Sequence, residues 1–303
     1  MTLSNNALGK AYAQLHIAIL LFGFTAILGD LITLSGIPLV WYRMVITLIS
    51  LCFFPGLIKR ALALPRKTAL RLLGIGVLMA IHWVTFFEAI KQSNVSITLS
   101  CIASTAFFTS LIEPLFFGRK IKIHEIGLGL LVIVGFGFIF SFVGDQHWLG
   151  IGLAILSAFV VAFAGVFNKA AVETHDVYVV SFMTFLAGVI FLTAVMPIYL
   201  YAFPEQPIIP TTSDIGYLLF LALGCTTLAY SLNMLALRHL SAYTVALSIN
   251  LEPIYGMVMA LMFLGEGAEL NTGFYIGAGL ILAAVFLHPI FERFQKSKAG
   301  SLA

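Results

Sequence analysis

Apolar residues fall into ten long runs along the chain, separated by short segments that collect nearly all of its charge. The runs lie at about 11–29, 37–58, 69–90, 94–117, 123–142, 148–169, 177–200, 214–237, 241–264 and 271–290. Each is close to the roughly 20 residues that an α-helix needs to cross a bilayer core. The pattern predicts an all-α integral membrane protein with ten transmembrane helices.

The basic residues orient these helices. With the N-terminus placed in the cytoplasm, the inner segments hold 14 of the 16 Lys and Arg residues, among them Lys59, Arg60, Arg66, Lys67, Arg119, Lys120 and Lys122. The outer loops hold only Lys91, and Arg43 lies inside a run. Basic loops stay on the cytoplasmic side, so the asymmetry predicts cytoplasmic termini and a multi-pass protein of the cell (inner) membrane. An odd number of runs would scramble it.

Composition then narrows the function classes. At 61% hydrophobic and 10% charged residues, with a mean hydropathy of +1.06, the chain has too little polar surface for a soluble globule. Its net charge of +3 comes from the inner loops, so it reports topology and argues for no nucleic-acid partner. Cys52, Cys101 and Cys225 sit inside apolar runs without paired or metal-ligand spacing, and read as small buried hydrophobes. No cofactor or metal is expected. The first run follows Lys10 and has no Ala-x-Ala site after it, so it is expected to be a retained helix. No segment between the runs is long enough to be a domain, which puts the activity within the membrane.

The two halves of the chain also resemble each other. A shift of 147 residues matches Ala89, Lys91, Ile102, Phe116 and Gly118 with Ala236, Arg238, Ile249, Phe263 and Gly265. A shift of 150 overlays Ile126-Gly127 and Gly129-Leu130 on Ile276-Gly277 and Gly279-Leu280, and one of 136 brings Ala18-Ile19-Leu20 onto Ala154-Ile155-Leu156. The order of these matches predicts two repeats, 1–145 and 146–303. Five helices is an odd number, so the second repeat must begin on the opposite side of the membrane. Inverted repeats of this kind let a fold exchange inward-open and outward-open shapes around one central site, and they argue for transport.

Several motifs give this reading a family. Phe22-Gly23-Phe24-Thr25 is similar to a W-G-x-x-F signature, Pro38 stands ahead of Tyr42-Arg43-Met44, and Leu251-Glu252-Pro253 precedes Phe263-Leu264-Gly265-Glu266. With the glycine-rich closing helix, the chain resembles the ten-helix, EamA-like members of the drug/metabolite transporter superfamily over essentially its whole length. The first repeat departs from the pattern, with Thr105-Ala106 where Glu-Pro would fall and Arg119 in place of the Glu after Gly118. The resemblance implies export or import of amino acids, metabolites, nucleotide sugars or drugs. It also implies a cavity between the fourth and ninth helices, backed by the first, third, sixth and eighth.

Ionisable groups inside a bilayer cost a few kcal/mol and are candidates for function. Glu252 lies mid-span beside Pro253, which frees the Ile249 carbonyl, and Ser248 and Tyr255 share its helical face. It can serve a substrate amine or a proton, or satisfy a neighbouring helix. His82 and Trp83, with Phe86 one turn on, meet Tyr230 and Asn233 as repeat partners, an arrangement that suits an amphipathic solute. Ser104 and Asn250 are further candidate lining. Four charged residues are given structural roles: Glu88 paired with Lys91, Arg43 neutralising a helix C-terminus or carboxylate, and Glu113 paired with the basic cluster of Arg119, Lys120 and Lys122. The glycine pairs 127/129 and 277/279 are expected at tight helix crossings.

These readings converge on a non-enzymatic secondary transporter of small organic solutes such as amino acids, probing both membrane faces by alternating access and working as an exporter. Protons are a candidate coupling ion, with facilitated diffusion as the alternative, and the protein is expected to be a monomer or weak dimer in the lipid bilayer. A multidrug exporter of the same fold is the nearest alternative. An integral-membrane enzyme on lipid-linked substrates is the alternative of another class, but no cluster of acids, histidines or a nucleophile is evident.

Overall fold

The computed structural model describes residues 5–139, 148–252, 254–255 and 272–300. Among these residues all regular structure is helical: α1 (Asn5–Leu31), α2 (Gly36–Cys52), α3 (Leu57–Leu62), α4 (Arg66–Gln92), α5 (Val95–Ile102), α6 (Thr105–Phe116), α7 (Ile123–Ile139), α8 (Trp148–Thr174), α9 (Val177–Ala202), α10 (Thr212–Ala222), a π-helical turn (Leu223–Leu228), α11 (Ala229–Leu237), α12 (Ala242–Ile249) and α13 (Thr272–Gly300). Five stretches, Ala7–Leu31, Arg66–Gln92, Trp148–Thr174, Val177–Ala202 and Thr212–Leu237, are long and apolar enough to cross a membrane. Shorter apolar helices cover Gly36–Cys52, Thr105–Phe116, Ile123–Phe138 and Gly279–Phe291. Much of the ninth run, including Pro253 and the motif at 263–266, lies outside the described residues.

Local sequence starts these helices where orphan N–H groups need acceptors. Asn94 accepts from Ile97 N (2.8 Å) ahead of α5, Asp176 from Tyr178 N (3.0 Å) ahead of α9, and Ser241 from Thr244 N (3.0 Å) ahead of α12. Thr211 and Asp214 form a reciprocal capping box on α10.

The fourth run is not one continuous helix. A turn at 103–104 separates α5 from α6, and a second at 250–251 ends α12. Ser104 N and Asn250 N bond three residues back, to Cys101 O (3.1 Å) and Leu247 O (3.2 Å), which tightens the chain there. Hydroxyls cover carbonyls at the first turn, with Ser104 Oγ donating to Cys101 O and Thr105 Oγ1 to Ile102 O, both at 2.6 Å. The two turns are 147 residues apart, the spacing of the strongest internal matches. At the π-helical turn, Thr226 Oγ1 donates to Leu221 O (2.7 Å) and Thr227 Oγ1 to Ala222 O (2.9 Å), so side chains serve carbonyls that an α-helical turn would have filled.

α4 packs along α8 and α9, α1 along α11, α2 along α9, and α7 along α13. Gly76 permits the α4–α9 approach, since a Cβ there would overlap the Thr184 carbonyl. Of the glycine pairs expected at crossings, Gly129 abuts Phe107 and Gly277 faces Gly135, whereas a Cβ on Gly127 or Gly279 would meet open space. Leu15, Ile19, Leu39, Met44, Phe87 and Phe185 are buried between helices, and Phe53, Leu62 and Phe286 lie exposed on the outside, as a lipid-facing surface requires.

Polar side chains tie the helices together at both ends. At one, the cap end, the segment between α1 and α2 is tied to three other helices. Asp214 accepts from Thr33 N (2.9 Å) and Thr33 Oγ1 (2.7 Å), and also from Thr211 N and Oγ1. Glu88 accepts from Gly36 N (2.7 Å), Lys91 donates to Asp30 O (3.1 Å) and Ile32 O (2.7 Å), and the Ser35 and Tyr199 hydroxyls bond each other. Glu88 and Lys91, expected as an ion pair one turn apart, are each spent on this segment, because its bare backbone groups are nearer partners. At the opposite, basic end Glu113 accepts from Ala242 N (3.1 Å) and Tyr243 N (2.7 Å). It therefore serves the positive N-terminus of α12 and not the basic cluster. Lys169 does the converse, donating to Leu237 O (3.0 Å) and Arg238 O (3.3 Å) at the end of α11.

Candidate functional site

Between these two ends lies a cavity of about 150 Å³, roughly the size of engineered protein cavities that take up a benzene molecule. Its wall draws on Phe22 of α1, Arg43 of α2, His82, Trp83 and Phe86 of α4, and Thr105 and Thr109 of α6. Asn168 of α8, Tyr230 and Asn233 of α11, Ile249 of α12, and then Asn250 and Glu252 complete it. Both turns that interrupt the fourth and ninth runs therefore open onto this space. Irregular backbone at membrane depth is tolerated where it lines such a cavity.

Arg43 is the most deeply buried charge in the wall, at 1% exposure. Its Nε donates to Thr226 Oγ1 at 2.6 Å, and its Cζ lies 4.0 Å from the centre of the Trp83 ring. The π-helical turn places Thr226 for that bond, a common use of such turns at functional sites. A guanidinium over an indole face gains a cation–π contact that is strongest when desolvated. Trp83 is fixed in turn by Phe185, stacked at 5.9 Å, and by Tyr230 edge-on at 6.3 Å.

His82 is held by α8. Its Nδ1 lies 3.1 Å from the Ser157 carbonyl and 2.7 Å from Ser157 Oγ, while Ser157 Oγ donates to the His82 carbonyl at 2.8 Å. A carbonyl only accepts, so Nδ1 carries the proton and Nε2 is the acceptor this residue offers. Asn168 Nδ2 donates to Tyr230 Oη at 3.1 Å, which turns its own oxygen elsewhere.

Five polar atoms of the wall have no hydrogen-bond partner among the described residues: Thr25 Oγ1, Arg43 Nη1, Asn168 Oδ1, Asn233 Oδ1 and Asn250 Nδ2. Leaving such atoms buried and unbonded costs about 1–3 kcal/mol each, so a grouping of them in one cavity calls for water or a polar ligand there. The set holds two donors, one of them cationic, two amide acceptors and the Thr25 hydroxyl, and beside it lies the Glu252 carboxylate, close enough to Arg43 to interact electrostatically.

Of the residues singled out from sequence, His82, Trp83, Phe86, Tyr230, Asn233, Asn250 and Glu252 are brought together around this cavity. Two are not. Ser104 bonds the Cys101 carbonyl at the turn, and Tyr255 Oη bonds His16 Nδ1 at 3.1 Å on an exposed face of α1. Ser248, read on the Glu252 face, donates back to Thr244 O. Arg43 and Asn168 were missed as lining. Arg43 faces the Glu252 carboxylate electrostatically, in line with the carboxylate expected for it, and the signal for its place in the wall was that it is an arginine within an apolar run. At the basic end the fold also gathers His124, Glu125 and His288, whose ligating atoms lie within 4.8 Å of one another, a grouping of metal-ligating types that sequence spacing did not reveal.

Comparison with known proteins adds the lineage. The model of the EamA-like transporter family matches residues 9–141 and again 148–288. A Bacillus subtilis uncharacterized transporter is 21% identical over 295 residues, covering 94% of this chain and 91% of its own. A Clostridium kluyveri uncharacterized transporter is 25% identical over 214 residues, 66% of this chain and 67% of its own. A crystal structure with 15% identity superposes at a TM-score of 0.75, covering 95% of this chain and 99% of the other, so the fold is shared.

Proposed function

The chain belongs to the EamA-like transporter family, and from that premise we propose that it is a secondary transporter of small zwitterionic solutes, amino acids or close metabolites, working as an exporter by alternating access. The observation that carries this reading is the convergence of Arg43 Nη1 and Asn250 Nδ2 with Asn168 Oδ1, Asn233 Oδ1 and the Glu252 carboxylate in one cavity. A solute carboxylate would take the two donors. Its ammonium would take the amide oxygens and Glu252, and its side chain would rest on Trp83, Phe86 and Tyr230. Charge-assisted bonds of this kind are about twice as strong as neutral ones.

In this reading ten helices form two inverted five-helix repeats, 1–145 and 146–303. Two family matches, one in each half, and interrupted helices 147 residues apart on the cavity support it. The cap end faces outward and the basic end the cytoplasm of the inner membrane, in keeping with the distribution of Lys and Arg. Opening outward then requires release of the Thr33–Asp214 contacts, and opening inward release of Glu113 from α12. One chain encloses the whole site, so a monomer suffices. Glu252, or His82 as the second candidate, carries the coupling proton. The aromatic wall favours a multidrug exporter as the second reading.

Reconstituted protein separates these. Saturable counterflow of amino acids, with uphill accumulation under an imposed proton gradient, is the expected result. Glu252→Gln should raise the counterflow KM at least about tenfold, because the ammonium loses its charged partner, and gradient-driven accumulation should fall to equilibrium. Flux of lipophilic cations without amino acids would replace the first reading by the second, and turnover of a lipid without vectorial movement would overturn both.

A further inference from the structure

The closing helix α13 packs along α7, and at the basic end their side chains meet. His124 and Glu125 come from α7 and His288 from α13, with ligating atoms within 4.8 Å of one another and none of them lining the central cavity. Two imidazoles and a carboxylate are a donor set suited to late first-row divalent ions, zinc above all, with a further position left for water. Bringing three such atoms to zinc-bond length requires each to move by about 0.7 Å, within the reach of small side-chain rotations.

The surroundings resemble the outer shell that metal sites use to aim their ligands. His288 Nε2 lies 3.0 Å from Thr244 Oγ1, which turns Nδ1 toward the cluster, and Thr244 Oγ1 is itself 2.7 Å from Ser241 Oγ. Tyr243 packs edge-on against His288 at 5.1 Å and donates through Oη to the Glu125 carbonyl at 2.7 Å. The two imidazoles lie nearly parallel, 20° apart. Lys122 Nζ bonds Glu125 Oε1 at 3.1 Å, but its side chain is 39% exposed and can move to solvent when a dication takes the carboxylate. His124 is partly exposed, giving an ion a way in.

We propose that His124, Glu125 and His288 form a binding site for a zinc-class divalent ion at the basic end, joining α7 to α13 and braced from α12 by Thr244. This site shares no residue with the central cavity.

The test uses the untagged full-length protein, treated with chelator and then titrated with Zn²⁺ in one arm and Co²⁺ in another. One Zn²⁺ per chain is expected, with visible Co²⁺ absorption. Affinity should fall by at least about tenfold in His124→Asn, His288→Asn and Thr244→Val, and stay unchanged in His239→Asn, a control on an exposed histidine elsewhere. His124 is at the periphery, so its variant remains informative if His288→Asn fails to fold. No Zn²⁺ bound by the wild type, or equal binding by the wild type and His124→Asn, would overturn the proposal.

Discussion

At the cap end Asp214 is fully buried and its carboxylate takes bonds from Thr33 and Thr211, while in the cavity Arg43, just as buried, leaves Nη1 without a partner among the described residues. Half-buried Glu88, bonded to Gly36 N, follows the first pattern, and Asn168, Asn233 and Asn250 the second. Burial of polar groups is costly in both places. The difference is what satisfies them: at the cap end backbone and hydroxyl donors, in the cavity nothing among the described residues. Buried charge alone thus says little about function, and unmet hydrogen-bonding capacity says a good deal.

The sharpest way to break this contrast is at Arg43. Arg43→Met should lower the transport efficiency for a zwitterionic solute about 100-fold, the loss of a charge-assisted contact. Its thermal stability should fall by about 1–3 kcal/mol, since Glu252 and Thr226 lose their partner. Flux retained with stability lost would show that Arg43 belongs with Asp214 as scaffold. Asp214→Ala should cost stability alone. Denaturation would report a loss of about 2 kcal/mol, from backbone and hydroxyl donors left unmet, and solute KM would stay within about twofold. The smallest effect is expected at the surface pair of Arg60 and Asp176, 3.5 Å apart with side chains 50% and 43% exposed. Arg60→Ala should shift stability by less than about 0.5 kcal/mol and leave flux unchanged.

Much of the cavity was legible in the sequence because a polar group in a long apolar run is rare and costly. Glu252, Asn250, Asn233 and His82 were found that way, and the internal repeat put Tyr230 opposite Trp83. What failed was direction. Ser104 and Ser248 were placed by assuming unbroken helices, yet the turns at 103–104 and 250–251 reorient the chain there, and no glycine or proline within either turn announces it. Tyr255 is long enough to reach past the wall to His16. Arg43 was read as scaffold because a lone arginine in an apolar run has no visible partner in one dimension, and Thr226 and Trp83 approach it only in the folded chain. The pairing of Glu88, Lys91 and Glu113 failed for a related reason. Nearby opposite charges suggested ion pairs, while helix ends and an exposed connecting segment offered unbonded backbone groups that compete well for charged side chains.

The most direct test is ligand-dependent stabilisation of the purified protein, since a ligand that binds only the folded state raises its unfolding temperature. An apolar amino acid, its N-acetyl derivative and its amide would be titrated in parallel. The zwitterion should stabilise at concentrations at least about tenfold lower than either analogue, each of which lacks one charged contact, and Arg43→Met should erase the advantage over the amide. Equal stabilisation by all three, or stabilisation by lipophilic cations alone, would contradict a cavity whose unmatched polar atoms await a zwitterion.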